Sequence, residues 1–233
     1  MKNIEFNPDK AFQDFFSDSD WSIKTGIGGL INALAIVLLF VGPVFIPVSV
    51  SLIALNFGYL IKTINHKLEG NENLPPFNGF IDLLLSGLNW LSLWSSYFII
   101  FVLISGIILF TAICFNAFDI DSNLFYITSS LTFIVIFMLW LKFNFILNYT
   151  IVDFAKTYKP KPFNAITHLT RYFFQHPLAM LVVFLLNSGL FVLSIIIPVL
   201  TVFAVFLIPS FIFVISIINT LLTVQVYRGV ETS

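Results

Sequence analysis

PPFNGFIDLLLSGLNW, residues Pro75 to Trp90, interrupts a chain that is otherwise mostly unbroken apolar sequence. Two prolines lead into a two-faced pattern. Phe77, Phe80, Ile81, Leu84, Leu85 and Leu88 fall at helical spacings on one side, with Asn78, Asp82, Ser86 and Asn89 on the other. Proline is tolerated in the first turn of a helix and cannot continue a preceding one. A segment too short to cross a bilayer, and polar along one side, is expected to lie in the plane of a membrane surface. The rest of the chain must then supply the spans.

It does. Of 233 residues, 58% are hydrophobic, 17% aromatic and 10% charged, and the mean hydropathy is +0.98. A soluble domain carries about 25% charged residues, so this chain cannot cover itself with a water-compatible surface. Its apolar runs are of helix length, and the alternation of a membrane β-barrel is absent. A net charge of −1 gives no basis for nucleic-acid binding. The single cysteine, Cys114, excludes an intrachain disulfide. The N-terminal arm holds Glu5, Asp9, Asp14, Asp18 and Asp20 with no short apolar core and cleavage site, so no cleaved signal peptide is expected.

A helix needs about 20 apolar residues to cross roughly 30 Å of hydrocarbon. The run from Gly26 to Ile64 is nearly twice that, and Gly42, Pro43 and Pro47 near its middle turn it into a hairpin. Six spans are predicted, near 24–42, 46–64, 91–114, 125–146, 178–197 and 201–226, with Pro209 expected to bend the last. Every lysine and arginine lies in the N-terminal arm, the 62–90 connection, the end of span four with its following connection, or the C-terminus. The hairpin tips contain none. By the positive-inside rule both termini and both long connections are cytoplasmic. Lys142 is expected to snorkel to the inner interface.

The opening motif recurs. PDKAFQDFFSDSDW from Pro8, PFNGFIDLLLSGLNW from Pro76 and PFNAITHLTRYFFQH from Pro162 each begin with proline. Each then carries a small residue (Ala11, Gly79, Ala165), a bulky apolar one (Phe12, Phe80, Ile166) and a titratable one (Asp14, Asp82, His168). The predicted fold is therefore an all-α integral membrane protein. A single domain, residues 1–233, holds six transmembrane helices as three hairpins, each preceded by a cytoplasmic-side interfacial amphipathic helix. The pseudo-repeats fall near 8–64, 76–148 and 162–228.

WSIK and GIGGL within Trp21–Leu30, GYLIK at Gly58–Lys62, NLPPF at Asn73–Phe77 leading to Asp82 and Gly87, and VYRG at Val226–Gly229 resemble a known group. It is the prokaryotic membrane family catalogued as domain of unknown function 4013. The resemblance covers most of the chain and is most specific over residues 20–90. It departs at Phe77, where family members often carry tryptophan, and in a longer first hairpin. It implies a polytopic membrane protein of a bacterium or archaeon, in the cytoplasmic membrane, and brings no activity and no catalytic residues.

The residues themselves carry no catalytic pattern. The aspartates lie near interfaces or in loops, and no Gly-x-Ser-x-Gly elbow occurs. His66, His168 and His176 match no metal-site spacing, and no cofactor is expected. Asn32, Asn56, Asn187 and Asn219 are candidate intramembrane polar contacts, more commonly interhelical hydrogen bonds than a path. Lys156, Lys159, Lys161 and Arg171 are candidate contacts to lipid headgroups, each worth about 1 kcal/mol toward anionic lipid near the surface. The expected partner is the bilayer; the commoner role for these four charges is to set topology, and the alternative is contact with anionic lipids. The preferred reading is a non-enzymatic membrane-organising or scaffold protein, and the alternative is a transporter or permease for a small molecule or lipid.

Overall fold

A computed structural model of the chain describes residues 7–118, 122–157 and 204–232, with positions 177, 178, 182, 183 and 185 besides. Every regular element among them is helical. In order they are α1 (Pro8–Phe16), α2 (Trp21–Val41), a 3-10 turn (Pro43–Phe45), α3 (Ile46–Leu68), α4 (Phe80–Phe118), α5 (Ser122–Thr157) and α6 (Ala204–Thr232).

Local chemistry sets several of these boundaries. Asn7 caps α1 by accepting from the Lys10 N–H at 3.1 Å, with Pro8 and Asp9 in the first turn. Gly42 ends α2 at φ +153, a conformation that favours glycine, and Pro43 opens the tight turn into α3. The chain breaks at the expected position, and Pro47 sits in the first turn of α3. Gly70, at φ +91, turns the chain out of α3 while the Asn71 N–H bonds back to the His66 carbonyl at 3.2 Å.

Among the described residues four helices are long and apolar enough to cross a membrane, over Trp21–Val41, Pro43–Leu68, Phe80–Cys114 and Ile208–Arg228, and Tyr126–Trp140 forms a shorter apolar stretch within α5. This is the outline of a multi-pass membrane protein. Apart from positions 178, 182, 183 and 185, the predicted fifth span lies outside the described residues, as do residues 162–176 of the third amphipathic segment and the side chain of Lys142. Helix α6 carries Pro209 without a break in the helix.

The core lies where α2, α3, α4, α5 and α6 converge, around Tyr59, Ile64, Trp90, Val152, Phe213 and Leu222. Glycines set the closest approaches. A Cβ on Gly58 would stand 1.9 Å from the Leu83 carbonyl oxygen, and one on Gly87 1.8 Å from that of Ala54. Helices α3 and α4 therefore pack backbone to backbone, antiparallel. Across the bundle, Gly28 faces the Phe213 ring and Gly29 faces Ser210. The second and third glycines of GIGGL serve this contact between α2 and α6, whereas Gly26 has nothing within 4 Å of an added Cβ.

The opening motif departs from its expected form. Residues 76–79 are not helical, and Phe80 begins one continuous helix that runs to Phe118. No separate amphipathic helix precedes this span. Two causes act. No proline interrupts residues 80–118, and Leu83, Gly87 and Trp90 form a buried stripe that draws the first turns into the bundle. That stripe lies between the two faces read from the sequence, and Phe80, Ile81 and Leu85 remain exposed. At 39 residues α4 is about 58 Å long, well beyond roughly 30 Å of hydrocarbon. Past Tyr97 its large apolar side chains are mostly outward-facing. The first unit does form a short separate helix, α1, held to the bundle by Ala11 and Phe15.

Candidate functional site at the clamped loop

Residues 69–79 fold over the end of the bundle where α3 finishes and α4 starts, and three lysines hold them there. Lys24 Nζ donates to both carboxylate oxygens of Asp18, at 2.9 and 2.8 Å, and to the Leu74 carbonyl at 2.9 Å. Asp18 in turn accepts from the Leu74 N–H at 2.8 Å and the Asp20 N–H at 2.9 Å. Lys62 Nζ donates to the carbonyls of Pro76 at 3.0 Å and Asn78 at 3.1 Å, and to the Asn78 side chain. Lys67 Nζ pairs with Asp14 at 3.1 Å and donates to the Glu72 carbonyl. The Tyr59 hydroxyl donates to the Pro75 carbonyl at 3.0 Å, and its ring stacks on Phe77 at 4.3 Å.

Asp18 and Lys24 are both buried. Burial alone would push the Asp18 carboxyl up. The hydrogen bond from Lys24, the two backbone N–H donors and the Lys24 charge outweigh that, and hold it below the usual carboxylate range.

Two cavities flank the loop. One, of about 190 Å³, is walled by Lys10 and Asp14 of α1, Lys67 at the end of α3, Glu72, and Gln225 and Arg228 of α6. The other, of about 350 Å³, lies against Lys62, Asn65, Asn78, Asp82 and Ser86. Gln225 also ties α6 to α1, accepting from the Asn7 N–H at 3.1 Å and donating to the Asn7 carbonyl at 3.2 Å. Beside α1, Phe15, Phe16 and Trp21 form an aromatic cluster with centroids 5.0 to 6.0 Å apart. Phe12 and Phe16 are 42% and 49% exposed. Among the described residues no three of His, Cys, Asp and Glu come together to hold a metal.

A family profile described as "Protein of unknown function (DUF4013)" matches residues 36–199. The chain belongs to the DUF4013 family. The DUF4013 match begins within α2 and takes in α3, α4, α5 and the clamped loop. Trp21–Leu30 and Val226–Gly229, which also suggested the family, stand outside it. No curated protein and no solved structure matches this DUF4013 chain.

The residues singled out in the DUF4013 sequence divide sharply. Asn56 Nδ2 donates to Asn32 Oδ1 at 2.6 Å and to the Gly28 carbonyl at 3.1 Å, while Asn32 Nδ2 donates to the Pro209 carbonyl at 3.3 Å. These two amides thus join α2, α3 and α6. Asn219 is buried on α6. Lys156 is exposed at the end of α5, its ammonium 5.6 Å from the centre of the Tyr227 ring. Asn187, Lys159, Lys161 and Arg171 lie outside the described residues. Sequence reasoning counted Asp18, Lys24, Lys62 and Lys67 only as charges near span ends. The available signal was Asp18 and Lys24 bracketing Trp21 at the head of an apolar run.

Proposed function

We propose that this DUF4013 protein is a non-enzymatic membrane-organising scaffold, with six spans in three hairpins and both termini in the cytoplasm of a prokaryotic cell. The observation that carries the reading is α1. It is docked on the bundle through Ala11 and Phe15, yet presents Phe12 and Phe16 outward beside Trp21, at the head of an apolar helix. A short amphipathic helix with exposed aromatics at that depth suits insertion among headgroups of one leaflet. The concentration of lysines at the same end supports a cytoplasmic leaflet. Against a transport path, the Asn32 and Asn56 amides are spent on contacts between helices.

The test is reconstitution of the full chain into liposomes containing anionic lipid. The scaffold reading expects vesicle size and shape to change with protein density, an effect reduced by Phe12→Ser together with Phe16→Ser. Saturable uptake of any solute in a metabolite panel, above that of protein-free vesicles, would replace this reading with transport.

A further inference from the structure

We propose that the cavity of about 190 Å³ between α1, the end of α3, Glu72 and α6 binds a phosphate group. At this depth the carrier is a phospholipid headgroup or a soluble phosphate compound from the adjoining water. The cavity draws three cations, Lys10, Lys67 and Arg228, from three different helices around one space. They are not equivalent. Lys67 is buried and already holds Asp14 and the Glu72 carbonyl, so it shapes the wall and neutralises Asp14 rather than offering free donors. The Lys10 ammonium is exposed and has no partner among the described residues, so its three N–H donors are available. Arg228 donates to the Lys67 carbonyl, which fixes its guanidinium at the cavity wall.

Size and position fit the same ligand. A water takes about 30 Å³ of liquid volume, so the space holds a phosphate with part of its ester. Leu221 and Val224 line the cavity beside the charged groups, which suits a headgroup with an apolar attachment. Two candidate spans end at Leu68 and Arg228, next to the cavity, and headgroup phosphates lie at the ends of spans. Of the two carboxylates on the wall, Asp14 is occupied by Lys67. Lys67 and Asp14 offset each other, so Lys10 and Arg228 face Glu72 with one positive charge in excess, and phosphate is the group that lysine and arginine bind through charge-assisted bonds. The site requires the chain to sit in a membrane but is independent of whether it acts as a scaffold.

The full-length protein in a neutral detergent tests this with three probes: dioctanoyl phosphatidylglycerol, phosphate-free dioctanoylglycerol, and inorganic phosphate. Native mass spectrometry and thermal shift read binding. Saturable binding of the phosphatidylglycerol, weakened roughly tenfold in Lys10→Gln and restored in Lys10→Arg, is expected and identifies a lipid source. The same pattern with inorganic phosphate alone identifies a soluble source. Lys10 is exposed, so neither substitution disturbs packing. Equal binding of dioctanoylglycerol, unchanged affinity in Lys10→Gln, or no saturable binding of either phosphate probe overturns the proposal.

Discussion

Lys24 and Asp18 meet as a buried ion pair in which one ammonium contacts both carboxylate oxygens, at 2.8 and 2.9 Å. Between them they also take the N–H and the carbonyl of Leu74. The pair thus fastens a loop from beyond α3 to the entrance of α2. Removing one partner from a buried pair costs about 3–5 kcal/mol, because the survivor stays buried and uncompensated. Asp18→Ala is therefore expected to destabilise by about that amount in detergent unfolding, and Asp18→Leu combined with Lys24→Met by less.

The same pair predicts a pH response of definite sign. The folded Asp18 carboxyl lies below its ordinary value, which is about 3.9 in the unfolded chain. Its contribution is complete above that value, declines as pH falls beneath it, and is gone below the folded pKa. Proteolytic protection of residues 69–79 should be flat from neutral pH down to about 5 and drop below about 4. Asp18→Asn should lack that component.

Glycine substitutions separate close packing from helix propensity. Gly58→Ala or Gly87→Ala drives a methyl into backbone carbonyls, and overpacking of this kind costs about 1–3 kcal/mol or more. Gly106 has nothing within 4 Å of an added Cβ, so Gly106→Ala should be neutral or stabilising by up to about 1 kcal/mol. Thermal unfolding of the three variants side by side checks the contrast.

Asn56→Leu removes both donors that bind Asn32 and Gly28. It also removes a buried side-chain oxygen that has no hydrogen-bond partner among the described residues. The loss is partly offset by the gain, so the cost should stay near the 0.6–1.7 kcal/mol measured for interhelical bonds in membranes, roughly. A loss far above this in a detergent unfolding titration would mean that the amides do more than join helices.

The membrane character and the break at Gly42-Pro43 were legible because they depend on local signals. Apolar runs of span length mark helices, and Gly42-Pro43 can scarcely be anything but a turn. The start of α4 was not legible, because it depends on partners distant in sequence. The periodicity of residues 77–89 correctly implied a helix, but the buried stripe through Leu83, Gly87 and Trp90 exists only once Gly58 and Ala54 lie opposite. The contacts of the lysines were hidden for a related reason. Charge near a span end is consistent with topology whatever the ammonium touches, and only the folded loop reveals carbonyls waiting for Lys24, Lys62 and Lys67.

The clasp between Asn7 and Gln225 has a consequence for biosynthesis. Helix α6 lies against both α1 and α2, and the ribosome makes it long after them. At about 5–20 residues per second, roughly 10–40 s separate Gly28 from Phe213. Through that interval the first span has its glycine seam open, and the N-terminal helix is held by the Asp14–Lys67 pair without its clasp to Gln225. Newly made chains are thus most vulnerable to membrane proteases before α6 arrives, and a nonsense mutation upstream of it leaves that seam permanently open.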